Sequence, residues 1–261
     1  MLPTGDIMKR QTPSHTLLAA LIAFSAATLP FTAPAQDQPT ANASANADAK
    51  AGEAKAKSDA DTEKKAAEWV GSLKLGAAAK EKRVAEVVAI HLKTIRDWHN
   101  DHPFTSVTAV TNAATGKPLS QLDRQVMADS AVPKSVHENL MTGLRKDLSP
   151  EQTEAILDKY TVGKVAFTMN GYRAIVPDLT AEEEKTILGF LKQAREEAVD
   201  FKNMNEISAV FEIYKTKSEQ YFNSNGRDWK KLYKAYTDAI KAKKAEAAKQ
   251  KAAATENSPA K

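Results

Sequence analysis

Apolar residues in this chain return every three or four positions, segment after segment, and that spacing commits it to a stack of amphipathic helices. Over 77–100, Val84, Val87, Val88, His91, Leu92, Ile95 and Trp98 fall on one stripe. Ile187, Leu191, Ala194, Ala198 and Phe201 make a second, and Ile207, Val210, Phe211, Tyr214, Tyr221 and Phe222 a third. Trp229, Leu232, Tyr233, Tyr236 and Ile240 make a fourth, and shorter helices are predicted over 63–75, 119–128 and 133–148. Short connections between the last three stripes predict antiparallel neighbours. The expected class is mainly α, an antiparallel helical bundle with one small β-hairpin, flanked by disordered or extended tails.

Local signals set the helix ends. Pro103 closes the long helix, because proline disfavours helical geometry in the residue before it. Ser149-Pro150-Glu151-Gln152 and Thr180-Ala181-Glu182-Glu183 each read as a capping box opening a helix. Asn225-Gly226 supplies a left-handed stop. The hairpin is expected over 164–176: Val165, Phe167 and Met169 alternate before Asn170-Gly171, and Tyr172, Ala174 and Val176 resume after it. Residues 104–133 mix β-branched and loop-like stretches and predict no defined packing.

The ends of the chain carry different information. Lys9-Arg10, an uncharged run from Leu17 to Phe31 and Ala33-Pro34-Ala35 read as a signal peptide over 1–35, with Met8 an alternative start to Met1. The competing reading is an uncleaved anchor, but the run is about 15 residues against the ~20 a span needs. The mature protein is therefore expected in the periplasm or secreted, with no membrane span after cleavage. Residues 36–62, mostly Ala, Asp, Asn, Lys and Ser, are expected to form a disordered tether, since they cannot bury enough surface to offset ordering. The folded domain is expected over 63–240, and 241–261 is a tail rich in lysine and alanine. The whole chain has 37 basic and 33 acidic residues, but over 36–240 the count is 29 against 30. The basic character thus belongs to the tail, which lacks arginine and aromatics; nucleic acid is not an expected partner, while an anionic envelope surface is. With no cysteine in the chain, disulfide scaffolds, thiolate metal sites and cysteine nucleophiles are excluded.

Four side chains stand out as ligand-binding candidates. His99 and His102 sit three apart beside Asp97 and Asp101, a spacing that can share a metal, but protonatable groups also suit a helix C-terminus. Without a second histidine-carboxylate motif no metal site is assigned, and His91, on the apolar stripe, reads as a core histidine. Arg195 borders the buried face of its helix, where it clamps either a ligand's carboxylate or hydroxyls or a carboxylate of the protein. Trp98, near a helix end, and Tyr172, just past the expected hairpin turn, are the aromatics placed to stack on a sugar; Trp229 reads as structural. No nucleophile elbow, phosphate loop or dinucleotide fingerprint is present, so neither catalytic residues nor a cofactor are assigned.

Several stretches together carry a resemblance: Tyr160-Thr161-Val162, Ile175-Val176-Pro177-Asp178-Leu179-Thr180, Ala194-Arg195-Glu196-Glu197-Ala198, Phe211-Glu212-Ile213-Tyr214-Lys215 and Asn225-Gly226-Arg227-Asp228, with Lys82-Arg83-Val84 and Ile95-Arg96-Asp97-Trp98-His99 upstream. Over roughly residues 65–230 the chain resembles a secreted bacterial domain family of unknown function, labelled sugar-binding, found in polysaccharide-degrading bacteria. The resemblance implies a non-catalytic, carbohydrate-binding or accessory role. The alternatives are an envelope interaction protein working through its basic tail, or a polysaccharide-active enzyme of a new kind.

Overall fold

The computed structural model describes residues 41–112 and 115–256, and side chains from residue 48 to residue 250. The signal peptide, the first residues of the expected tether and the last five residues of the tail lie outside the described residues. Two units are distinguished, Met1–Ala47 and Asp48–Lys261, and both apolar clusters of the interior belong to the second. Helices α1 (Ala41–Gly71), α2 (Ala78–Asp101), α3 (Gln121–Asp129), α4 (Lys134–Asp147) and α5 (Pro150–Tyr160) are followed by α6 (Lys164–Ile175), α7 (Ala181–Ala198), α8 (Met204–Ser224) and α9 (Trp229–Glu256). Thr111 and Pro118 form an isolated antiparallel bridge, and no strand occurs among the described residues. None of the described helices is long and apolar enough to cross a membrane.

The mainly helical expectation is met, but the hairpin is not: 164–176 is the helix α6. Val165, Met169, Tyr172 and Val176 are spaced by four, three and four, a helical stripe that an alternating reading also accommodates over so short a stretch. Exposure separates the two. A strand would bury Val165, Phe167 and Met169 together, whereas Phe167 is 80% exposed and Val165 and Met169 are 6% and 2% exposed. Asn170 and Gly171 sit inside the helix, Asn170 accepting a hydrogen bond from Arg173. The turn that matters is one residue before the helix, where Gly163 takes a left-handed φ of 67°.

The N-terminal stretch also differs from expectation, whereas the C-terminal tail is the solvated helical extension its composition suggests. Helix α1 begins at Ala41, so the alanine-rich stretch expected to be a tether is helical from there on. Lys93 and Arg96 of α2 pair with Glu63 and Asp59 of α1 at 2.5 and 2.6 Å. Helix α9 runs into the lysine-rich tail as far as Glu256, with every side chain from 241 to 250 exposed.

Two apolar clusters build the interior. Ala66, Val70, Val84, Val88, Leu140, Leu144, Ile156 and Leu157 join α1, α2, α4 and α5. Met169, Ile187, Leu191, Val210, Phe211 and Phe222 join α6, α7 and α8, and the Trp229 ring stacks on Phe222 at 5.5 Å. Helices α2 and α4 meet so closely at Gly143 that a β-carbon there would lie 2.7 Å from Val87 Cγ1. Completed capping boxes lock the starts of α3, α5, α7 and α8: Ser120–Asp123, Ser149–Gln152, Thr180–Glu183 and Asn203–Glu206. Glu183 is held by a second partner as well. Arg227, after the Gly226 stop, makes paired bonds to its carboxylate at 2.5 and 2.8 Å and another to Asp178 at 2.9 Å. The Arg227 guanidinium thereby pulls the Glu183 carboxyl down to about 2, against the cost of its burial.

Candidate functional site

An open groove of about 810 Å³ lies where α3 and the start of α4 face α7 and α8. Its formation follows from chemistry already visible in the helices. Val210 is buried on α8 while Ile213, on the same helix, stays 55% exposed in the groove. Phe201 and Tyr214 add aromatic surface, and Asp129, Glu138, Glu196, Glu197 and Asp200 supply five carboxylates against Lys134 and His137. The groove is therefore acidic.

Asp200, just past the end of α7, is the centre of one charge arrangement. His91 Nε2 of α2 donates to its Oδ1 at 2.9 Å, and His137 Nδ1 of α4 donates to its Oδ2 at 2.8 Å. Burial alone would raise the Asp200 carboxyl, but the two imidazoles more than offset it and hold it below the usual carboxylate value. The hydrogen bond to Asp200 raises the His137 imidazole above its ordinary 6.5, with burial opposing. The Tyr160 ring meets His91 edge-on at 5.4 Å. His91 is thus a core histidine as expected, satisfied at Nε2 but with Nδ1 unpartnered. On the far side of the groove the Tyr214 hydroxyl donates to Glu197, and burial with that bond pushes its pKa up to about 12.

A second arrangement lies behind the groove and meets it through Asp129. His99 Nδ1 of α2 donates to Asp129 Oδ2 of α3 at 2.8 Å, and Glu206 Oε1 of α8 lies 3.6 Å from the same nitrogen. Burial raises the Glu206 carboxyl, and the nearby Asp129 charge adds to that against the pull of His99. Gln125 donates to Asp129 Oδ1 at 3.0 Å, and the Asn203 cap donates to Glu206 Oε1 at 2.5 Å.

The sequence matches a family described as "Protein of unknown function (DUF3826)" over residues 59–242, most of the chain and nearly all of the compact unit. The chain belongs to the DUF3826 family. No curated protein matches it. Family membership fixes the limits of the DUF3826 domain and leaves its chemistry to be read from the side chains.

None of the four candidates from the sequence lines the groove; His99 comes nearest, bonded to the groove residue Asp129. Its expected companion His102 turns away, donating Nδ1 to the Trp98 carbonyl at 2.8 Å and stacking on the Trp98 ring at 3.8 Å. Trp98 is half-buried, its indole N–H donating to the Ala128 carbonyl at 3.2 Å. Tyr172, expected at the surface, is buried because α6 turns it inward; it is 3% exposed and packs beside Phe222 and Trp229. Arg195 is buried and pairs with Asp158 of α5 at 2.8 Å, facing a separate cleft beside Leu157 and Lys192. The four do not share one concave surface. Spacing does not single out Asp129, Asp200, His137 and Glu206, because they come from four separate segments. The one signal in the sequence is the Asn203-x-x-Glu206 cap, which marks a helix start and carries no hint of the groove.

Proposed function

We propose that the DUF3826 domain is an exported, non-catalytic carbohydrate-binding module whose binding surface is the groove between α3–α4 and α7–α8. The observation that carries this reading is the pairing of five carboxylates with the apolar faces of Phe201 and Ile213 in one open cleft. Carboxylates accept short, strong hydrogen bonds from sugar hydroxyls, and apolar side chains cover the C–H face of a pyranose ring. The acidic balance favours neutral or amino sugars and repels uronates. Calorimetric titration with hemicellulosic, amino-sugar and pectic oligosaccharides tests it. Binding is expected with one of the first two classes and is lost in Glu196→Ala, a half-exposed groove residue; absence of heat with every class overturns the reading.

A second reading rests on α9, whose lysines at 241, 243, 244 and 249 are all exposed. In that reading the tail holds the domain to an anionic envelope surface. Removal of residues 241–261 then lowers envelope retention while leaving sugar binding intact; unchanged retention rejects it.

A further inference from the structure

We propose that His99, Asp129 and Glu206 bind one divalent transition-metal ion, of the zinc or manganese type. This goes beyond the sugar-binding reading and does not rest on it.

The three side chains come from α2, α3 and α8 and each turns one donor atom to a common point, all three atoms lying within 4.8 Å of one another. One imidazole nitrogen and two carboxylate oxygens are a donor set such ions accept. In a tetrahedral site with bonds of about 2.1 Å, ligand atoms sit about 3.4 Å apart. His99 Nδ1 is already 3.6 Å from Glu206 Oε1, and its 2.8 Å hydrogen bond to Asp129 needs to open only slightly once a metal replaces the proton.

Burial is the second observation. Asp129 and Glu206 are each 2% exposed. Carboxylates that deep are rare unless paired or coordinating, because an uncompensated buried charge is costly. Here two of them face a single imidazole, Asp129 Oδ2 at 2.8 Å and Glu206 Oε1 at 3.6 Å from His99 Nδ1. A divalent ion balances the pair where one imidazole proton cannot.

The third observation is how the ligands are held. Gln125 fixes Asp129 while also donating to the His102 carbonyl, and the Asn203 side chain and backbone N–H both reach Glu206. Outer hydrogen bonds of this kind set the orientation of metal ligands. Asp129 also lines the groove, which supplies a route by which an ion enters.

The experiment uses the full mature chain, stripped with EDTA, dialysed against zinc or manganese chloride and analysed for bound metal, with affinity by calorimetry. One equivalent is expected for the wild type. His99→Ala and Glu206→Gln are expected to abolish uptake, Asn203→Ala to weaken it about 10–100-fold, and His102→Ala and His137→Ala to leave it unchanged. Because Glu206 also caps α8, the circular dichroism of Glu206→Gln is checked; if that variant is unfolded, the wild-type stoichiometry and His99→Ala decide. Uptake of neither metal by the wild type, or equal uptake by folded His99→Ala, overturns the proposal.

Discussion

Replacing Asp200 with asparagine keeps the shape of the residue and removes the charge on which two histidines converge. The wild-type carboxylate accepts from His91 at 2.9 Å and from His137 at 2.8 Å. Hydrogen bonds involving a charged group contribute roughly 1.5–3 kcal/mol each. Asparagine retains one acceptor but turns an amide N–H toward the other imidazole, so one bond is weakened and one is lost. A destabilisation of about 3 kcal/mol is expected, equivalent to a fall in melting temperature of about 6–12 °C for a domain this size. The loss depends on pH. His137 is raised above its ordinary 6.5, so its contribution is complete below that value and disappears as pH climbs through the folded pKa. Asp200 is lowered below its ordinary 3.8, so its contribution is complete above that value and disappears as pH falls through the folded pKa. The difference between wild type and Asp200→Asn is therefore largest between those two ordinary values and shrinks above the His137 transition. Urea unfolding at a series of pH values measures it, and the imidazole proton resonances report the His137 pKa directly. A His137 pKa at or below 6.5 in the wild type, or a stability difference flat from about pH 4 to 8, would refute this reasoning.

Further substitutions probe other parts of the same physics. Glu183→Gln is expected to cost about 1–3 kcal/mol at neutral pH, a loss present above the ordinary 4.5 and vanishing as pH falls through about 2, visible in acid unfolding curves. Gly143→Ala gains helix propensity of about 1 kcal/mol but drives a methyl into a stiff Val87, and a net loss of about 1–2 kcal/mol is expected; Val87→Ala in the same chain should relieve it, as a double-mutant cycle shows. Phe167→Ser is expected to change stability by less than ~0.5 kcal/mol, whereas Met169→Ala costs about 2–5 kcal/mol. Equal large losses in thermal denaturation would restore the strand reading of α6.

Where helix boundaries are written in short-range chemistry, the chain is readable without coordinates. Ser149, Thr180 and Gly226 each act locally, and α5, α7 and the end of α8 begin or stop where those residues direct. Segment α6 is harder because its four inward residues fit two periods, and only the solvent on Phe167 distinguishes them. The groove is harder still. Asp200 is separated from His137 by 63 positions and from His91 by 109, so their meeting is a product of helix packing that no local spacing encodes. His99 is visible as a polar residue near a helix end, but its carboxylate partners become neighbours only after α3 and α8 dock on α2.

The Arg227 clamp sets a practical limit on dissecting this protein. A fragment stopped at Gly226 would strand Glu183 without its guanidinium and strip the Trp229 indole from Phe222, so it is expected to unravel from the α7 cap inward. A fragment stopped at Ile240 keeps both and sheds only water-facing side chains over the following ten positions. The shortest autonomous version of the domain is accordingly one that retains the first turns of α9.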